Sequence, residues 1–125
     1  MIALESIIEI HSILIERFGG MKGIRDSSAL SSCVERPFQT FDGKDLYPTP
    51  TDKAAALVES FVKNHPFNDG NKRIGYVAMR LFLMEENLDI HADEEDKYQF
   101  VLGIAESSLE FDEIKAWIAE KTYKS

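Results

Sequence analysis

The chain has 125 residues, of which 44% are hydrophobic, and 22 acidic against 14 basic side chains give it a formal net charge of −8. A chain of this length buries enough apolar surface for one hydrophobic core, so we expect a single domain over residues 1–125. The negative charge disfavours sequence-independent nucleic-acid binding, which depends on clusters of Lys and Arg. Cys33 is the only cysteine, which excludes an intramolecular disulfide and a cysteine-rich zinc site.

The N-terminal residues lack the basic segment, apolar run and small-residue cleavage site of a signal peptide. Nowhere does the chain offer about 18 consecutive apolar residues, the length that a membrane span needs. We therefore expect a soluble, cytoplasmic protein without a membrane partner and without direct binding of nucleic acid.

Apolar residues recur at three- and four-residue intervals near the start of the chain and predict a first helix, which ends at a Gly-Gly pair. These positions are Leu4, Ile7, Ile8, His11, Leu14, Ile15 and Phe18. For His11, a core histidine bonded to backbone or water is favoured over a catalytic one, because no acidic or nucleophilic residue is patterned around it. A second, short helix should begin at Asp26 or Ser27, both good N-cap types, and end before Pro37.

Residues 38–49 show no helical period and carry aromatic side chains beside turn-forming residues. This loop is either packed against the domain or functional. Thr49 is a good N-cap type for a third helix, whose pattern ends at His65 because Pro66 disfavours the α conformation in the residue before it. A fourth helix is predicted over approximately residues 70–87.

Asp93 can cap a fifth helix, and Trp117 lies on the apolar side of a last one. The acidic residues Glu94, Glu95 and Asp96 fall in the first turn of the fifth helix, where carboxylates that face solvent are favoured over a metal cluster. No segment alternates with a period of two for long enough to predict a sheet. The sequence therefore predicts an all-α fold with five to seven helices.

The segment between the third and fourth helices, HPFNDGNKR at positions 65–73, carries the clearest chemistry. It is a loop that runs into a helix N-terminus, where unpaired N–H groups and the positive end of the helix dipole form an anion site. Gly70 lets the backbone approach an anion closely, and Lys72 and Arg73 add positive charge. The segment therefore predicts a site for a polyphosphate.

Two further side chains of this segment suit a reaction at phosphorus. Asp69 could hold a magnesium ion that also bridges phosphate oxygens. Histidine ordinarily ionises near neutral pH, so His65 could accept the proton of a hydroxyl that attacks phosphorus. Phe67 is expected to point into the core and fix the loop, with Pro66 in a structural role.

The segment resembles the signature of the Fic/Doc (Fido) family, HxFx(D/E)GN(G/K)R, and is closer to its death-on-curing (Doc-like) branch, because Lys72 replaces the second glycine. The resemblance extends to Gly19-Gly20, to residues 36–40 and to Tyr47-Pro48, and so covers most of the chain. It implies an all-α Fido fold, a compact bundle of about six helices, which binds ATP with Mg²⁺ and modifies a protein hydroxyl.

The resemblance also implies a role for each motif residue. His65 would be the general base and Asp69 the magnesium ligand. The anion nest and the phosphate clamp would comprise Gly70, Asn71, Lys72 and Arg73. The loop of residues 38–49 would form a flap that holds an extended target segment by backbone hydrogen bonds, and its candidate residues are Asp42, Gly43 and Tyr47.

Lys72 bears on the reaction class that the resemblance implies. Family members with glycine at this position transfer AMP, whereas in the Doc-like branch the nucleotide binds reversed and presents its γ-phosphorus. Tyr76 stands where AMP-transferring members carry another arginine, which favours the same branch. Arg80, one turn further on, is interpreted as a solvated charge on the outer helix face, and Lys63 either approaches the phosphates or lies in solvent.

The sequence leaves three functions open. The first is a Doc-like toxin, a protein kinase that phosphorylates a Ser or Thr of a translation factor, elongation factor Tu by resemblance, and so inhibits translation. The second is a Fic-type AMP transferase, and the third is an inactive Fido binding module. The inhibitory pattern (S/T)xxxE(G/N) of many AMP-transferring relatives is not found, which predicts a separate antitoxin protein as partner.

Overall fold

The structure, a computed structural model, describes residues 2–125. These residues form six α-helices: α1 Leu4–Phe18, α2 Ser27–Glu35, α3 Pro50–Asn64, α4 Asn71–Glu85, α5 Glu94–Ala105 and α6 Phe111–Lys121. A 3₁₀ turn over Arg36–Phe38 follows α2. The predicted all-α fold class is confirmed. Over the same residues, no helix combines the length and the apolar character that crossing a bilayer requires.

Three helices begin at caps that local sequence predicted. The Thr49 hydroxyl accepts the Asp52 N–H at 3.1 Å, and the Asp52 carboxylate accepts the Thr49 N–H at 3.3 Å, a capping box that starts α3. The carboxylates of Asp26 and Asp93 each accept an N–H bond from the residue three positions on, which starts α2 and α5.

The third helix, α3, is the centre of the core. Its fully or nearly fully buried apolar residues are Ala54, Ala55, Ala56, Leu57, Val58, Phe61 and Val62. These positions cover more than the single apolar stripe that the sequence pattern marks, because the small alanines let neighbouring helices approach. Helix α4 packs closely as well: a Cβ added at Gly75 would lie 3.0 Å from the Cβ of Phe61. The two helices give the loop between them a rigid base.

Two small antiparallel sheets depart from the predicted absence of a sheet. In the first, β1 (Thr40–Phe41) pairs with β2 (Lys44–Asp45) through a turn at Asp42 and Gly43, whose φ angles are 53° and 77°. Positive φ at both central residues is typical of a type I′ hairpin, for which Asp-Gly is a strong local signal. In the second, β3 (Leu88–Ile90) pairs with β4 (Thr122–Lys124), and no local signal could indicate that distant pairing.

Candidate active site

A pocket of about 530 Å³ opens over the N-terminus of α4. Its lining comprises His65 and residues 68–73, with Tyr76 and Val77 of α4 and with Glu94, Lys97, Tyr98 and Val101 of α5. The structure therefore brings the polar motif residues to one small volume together with aromatic and apolar side chains and one further pair of opposite charges. This combination suits a ligand that carries both phosphate and an apolar or aromatic part.

His65 ends α3 in the left-handed conformation, with φ 48° and ψ 57°, a region that residues with a Cβ seldom adopt. Its Nδ1 lies 3.0 Å from the Lys63 carbonyl oxygen. Because a carbonyl only accepts, Nδ1 carries the hydrogen in this bond, and Nε2 is left as the basic nitrogen. The Arg25 guanidinium donates to the carbonyls of His65 and Asn64 at 2.6 and 2.7 Å, which fixes the end of α3.

The loop that follows, residues 66–69, is bound to residues 21–26, the connection between α1 and α2. The Pro66 carbonyl accepts two backbone N–H bonds from this connection, at 2.8 and 3.1 Å, and the Asn68 N–H donates to the Gly23 carbonyl at 3.0 Å. Backbone pairing of this kind gives the loop a single conformation without regular secondary structure of its own.

The inner side of the loop is fixed by side chains. Phe67 lies in the core with 1% of its surface exposed. The Asn71 side chain accepts the Phe67 N–H and donates to the Phe67 carbonyl, both at 3.0 Å. These two bonds fasten the first residue of α4 to the loop, and the Asn71 backbone N–H is left at the open helix end. His11 is buried and hydrogen-bonded to backbone, as the sequence indicated. Its backbone partner belongs to the motif: His11 Nε2 lies 2.7 Å from the Asp69 carbonyl oxygen.

The Asp69 carboxylate faces the pocket and is oriented by two backbone donors. The Met21 N–H donates to Oδ2 at 3.2 Å, and the Gly70 N–H donates to Oδ1 at 2.9 Å. These two bonds hold the pKa of Asp69 below its ordinary value, so the group is ionised at neutral pH.

This exposed carboxylate fits a magnesium ion, which takes one or two protein carboxylates and completes its shell with water and phosphate oxygens. Within residues 2–125, no group of three or more His, Cys, Asp or Glu side chains converges to hold a metal ion. Phosphate and water would therefore have to supply the other ligands of an ion at Asp69.

The first turn of α4 forms the anion end of the pocket. No side chain caps this helix, and its first intrahelical bond runs from the Ile74 N–H to the Gly70 carbonyl at 3.0 Å. The N–H groups of residues 71–73 therefore precede the intrahelical ladder and are directed out of the helix end, where they can donate to an anion.

Two cations border this anion end. Lys72 and Arg73 both line the pocket, as their sequence positions predict. The Arg73 guanidinium lies over the ring of Phe18, 4.2 Å from the ring centroid, a distance typical of a cation–π contact. Phe18 belongs to the predicted apolar stripe of α1, yet it is 56% exposed and supports Arg73 at the pocket.

Three other residues that the sequence singled out, Lys63, Arg80 and Tyr76, lie in different positions relative to the pocket. Lys63 is exposed on the last turn of α3 and is not among the residues that line the pocket. Arg80 is no free solvated charge, because its guanidinium donates to both carboxylate oxygens of Asp89 at 2.8 and 3.1 Å. Tyr76 does line the pocket; its hydroxyl is buried without a hydrogen-bond partner among residues 2–125, and burial raises its pKa to about 12.

The predicted flap residues divide into two groups. Asp42 and Gly43 form the exposed tip of the β1–β2 hairpin. Tyr47 instead fixes the base of the hairpin: its hydroxyl accepts a bond from Arg36 Nε at 3.0 Å, and its ring packs against Phe111 of α6. The structure therefore does not bring Tyr47 to the pocket.

Several contributions to the site lie outside the motif and were missed from sequence. They are the Arg25 side chain, the Met21 N–H and the Phe18 ring. Hydrophobic periodicity could not find them, because each acts on a residue that is distant in the chain. The Gly19-Gly20 pair, part of the family resemblance, was the nearest available signal.

An α-helical hairpin whose connecting loop carries HPFNDGNKR at an open anion site is the arrangement that the Fic/Doc class uses. The Fic/DOC family model matches residues 2–83, and the chain belongs to the Fic/Doc family. It is 38% identical over 104 residues to Toxin Doc of Mycolicibacterium smegmatis, an alignment that covers 82% of this chain and 80% of that protein. It is 25% identical over 111 residues to Protein kinase doc of Escherichia phage P1, covering 86% and 84%. Both relatives support the Doc-like branch.

Proposed function

We propose that this protein is a Doc-like toxin that transfers the γ-phosphate of ATP to a Ser or Thr hydroxyl of a translation factor, with elongation factor Tu as the first candidate, and so inhibits translation. The observation that carries the proposal is one pocket shared by the basic nitrogen of His65, the ionised Asp69 and the open N-terminus of α4. The names of the two relatives, a toxin and a protein kinase, support the same assignment.

In this proposal His65 activates the target hydroxyl. Nε2 takes the proton while the hydroxyl oxygen attacks the γ-phosphorus, the bond from that phosphorus to the β,γ-bridging oxygen breaks, and ADP leaves with the electron pair. The bond from His65 Nδ1 to the Lys63 carbonyl holds the imidazole in one orientation before substrate arrives, and the bond from Arg25 to the His65 carbonyl fixes the backbone that carries it. Such prior positioning lowers the entropic part of the barrier.

The first turn of α4 would stabilise the charge on the transferred group. The N–H groups of residues 71–73 donate to phosphate oxygens, Arg73 offers a planar set of donors, and Lys72 offers a mobile charge. Bound Mg²⁺ at Asp69 would neutralise further negative charge on the phosphates. Removal of one such stabilising group in enzymes typically costs about 100- to 1000-fold in rate.

The experiment that tests the proposal is label transfer with purified protein, Mg²⁺ and elongation factor Tu or a bacterial lysate. ATP labelled at the γ-phosphorus is compared with ATP labelled at the α-phosphorus. We expect label from the γ position alone, and we expect His65→Ala to lower its rate about 100- to 10,000-fold. His91→Ala is the matched control, because His91 is also exposed but lies outside the pocket.

Two outcomes would replace the proposal. Label from the α-phosphorus would identify an AMP transferase and would show that Lys72 does not indicate transfer of the γ-phosphate. No label from either position, with any protein in the lysate, would favour a Fido binding module without catalytic activity.

We further propose that a cognate antitoxin protein restrains this activity in the cell, an expectation that the name of the relative Toxin Doc supports. Expression of the wild-type chain alone in bacteria should arrest growth, whereas the His65→Ala chain at the same level should not. Normal growth with both chains would contradict a toxin that acts through this site.

A further inference from the structure

We propose that His11 is a positioning residue for Asp69, which acts through the peptide group between residues 69 and 70. The inference deepens the proposed function and rests on its assignment of Asp69 to the metal and phosphates. His11 lies outside the motif, on α1, and is 3% exposed. Within residues 2–125 its side chain is hydrogen-bonded to the backbone of the motif.

The His11 ring is held in a defined plane. It stacks face to face on Phe67, with centroids 3.7 Å apart and an angle of 7° between the planes. A ring N–H lies in the ring plane, so the stacked Phe67 also determines the direction in which Nε2 donates. The acceptor, the Asp69 carbonyl oxygen, lies 2.7 Å from Nε2, and since a carbonyl has no proton to give, His11 is the donor.

This bond reaches the carboxylate through one rigid unit. The Asp69 carbonyl and the Gly70 N–H belong to the same planar peptide group, so fixing the direction of the carbonyl fixes the opposite direction of the N–H. That N–H donates to Asp69 Oδ1 at 2.9 Å, while Oδ2 accepts the Met21 N–H at 3.2 Å. His11 therefore determines one of the two donors that aim the carboxylate into the pocket.

Side chains of α1 lie on one side of this peptide. A Cβ added at Gly70 would lie 3.2 Å from the Ile15 Cδ1 and 3.5 Å from His11 Nε2. The side chains of α1 thus lie directly behind the peptide. Without the His11 donor, the Asp69 carbonyl would lose its partner at the α1 surface, and the peptide could rotate towards water.

The test compares three variants by two readouts that need no protein target. His11→Phe keeps an aromatic ring for the stack but removes the donor, and His11→Gln replaces the ring but keeps an N–H donor at similar reach. Ile118→Val, a fully buried residue of α6 outside the pocket, controls for a general loss of stability. The readouts are the affinity for Mn²⁺ in the presence of ATP, by electron paramagnetic resonance, and the amide proton chemical shift of Gly70.

We expect His11→Phe to weaken Mn²⁺ binding about 10- to 100-fold, the range for loss of a group that orients a metal ligand, and to move the Gly70 amide shift towards that of an unbonded amide. His11→Gln should stay within about threefold of wild type in Mn²⁺ affinity, and Ile118→Val should leave both readouts unchanged. If His11→Phe does not fold, His11→Met, which also lacks a donor, takes its place in the comparison.

Wild-type Mn²⁺ affinity and an unmoved Gly70 shift in the donor-free variant would overturn the inference. Equal losses in folded His11→Gln and His11→Phe would overturn it as well, because packing and not the hydrogen bond would then be responsible. A wild-type protein that binds Mn²⁺ with ATP, responds to His11→Phe as expected and yet transfers no label would contradict the proposed function alone.

Discussion

The loop of residues 65–70 and the hairpin of residues 40–45 are both short connections, but they differ in how firmly the rest of the domain holds them. The loop joins two central helices and receives hydrogen bonds from α1 and from both the backbone and the Arg25 side chain of the α1–α2 connection. Every residue of the hairpin is exposed, and Phe41 has 74% of its surface in solvent. One ion pair, from Lys53 to Asp45, and the contacts of Tyr47 with Arg36 and Phe111 hold only the base of the hairpin.

The difference suits the two tasks that the proposed function assigns to these regions. A proton acceptor, a metal ligand and an anion site must keep their relative positions to act on one phosphate, which requires a loop that is bonded on several sides. A surface that takes up an extended segment of another protein needs free backbone groups and accessible side chains. We therefore expect substitutions in the loop to alter the chemistry, and substitutions in the hairpin to alter recognition of the target.

The largest effect is expected from Asp69→Asn. The amide keeps an oxygen that can accept one of the two backbone bonds, so the fold should survive, but the negative charge for Mg²⁺ is lost. Label transfer should fall at least about 100-fold with little change in melting temperature. Asp112→Asn removes an exposed carboxylate of α6 outside the pocket and serves as the control. Full activity of Asp69→Asn would show that the reaction does not need the Asp69 carboxylate.

A pair of glycine substitutions compares the two regions directly. Gly20 and Gly43 both have positive φ, 119° and 77°, so an alanine at either position should destabilise the protein by about 1–3 kcal/mol. A Cβ at Gly20 would lie 2.9 Å from Asp69 Oδ2, whereas one at Gly43 would have no atom of residues 2–125 within 4 Å beyond its chain neighbours.

Gly20→Ala alone should therefore weaken binding of Mn²⁺ with ATP, by about tenfold, because it displaces the carboxylate. Urea unfolding measures the stability of both variants, and electron paramagnetic resonance measures the binding. Equal nucleotide–metal affinity in the two variants would mean that the Gly19-Gly20 turn has no part in aiming Asp69.

A smaller effect is expected from Phe41→Ser on the hairpin. Because the ring is exposed, its loss should change the free energy of unfolding by no more than about 0.5 kcal/mol. If the ring contacts the protein target, the KM for that target should rise about tenfold while kcat and ATP binding stay the same. A fall in kcat with unchanged KM would show that the hairpin takes part in the chemistry, which would contradict the separation of chemistry from target recognition.

The smallest effect concerns the Arg80–Asp89 ion pair, which lies away from both regions. Hydrogen bonds from Arg80 hold the pKa of Asp89 below its ordinary value, so the pair contributes stability above the unfolded pKa of aspartate, about 3.9. That contribution is lost as the pH falls through the lowered pKa of the folded state. Since Arg80 is half exposed, we expect less than about 1 kcal/mol.

Urea unfolding of wild type and Asp89→Asn at several pH values checks this direction of the pH dependence. The difference in unfolding free energy should be constant between about pH 6 and pH 8 and should shrink below about pH 4, where aspartate is protonated in the unfolded chain. A difference that grows on acidification would contradict the assignment of the pair.

Local sequence signals were sufficient for the helices and insufficient for the strands. Thr49, Asp26 and Asp93 are capping residues whose partners lie three positions away, so the helix starts could be predicted. The Asp42-Gly43 turn also carried a local signal, but strands of two residues are too short to show alternation. The pairing of β3 with β4 joins segments that only the packing of α6 brings together.

By itself the sequence determined the chemical groups of the candidate site: HPFNDGNKR supplies an imidazole, a carboxylate and a helix N-terminus within nine consecutive positions, and this proximity needs no tertiary information. Only the tertiary structure decided what holds these groups in place. His11, Arg25 and the Met21 N–H reach the motif across 40 or more positions of the chain. Their hydrogen bonds depend on how α1 and the connection after it pack against the α3–α4 pair, and a periodic pattern along one helix carries no information about such bonds.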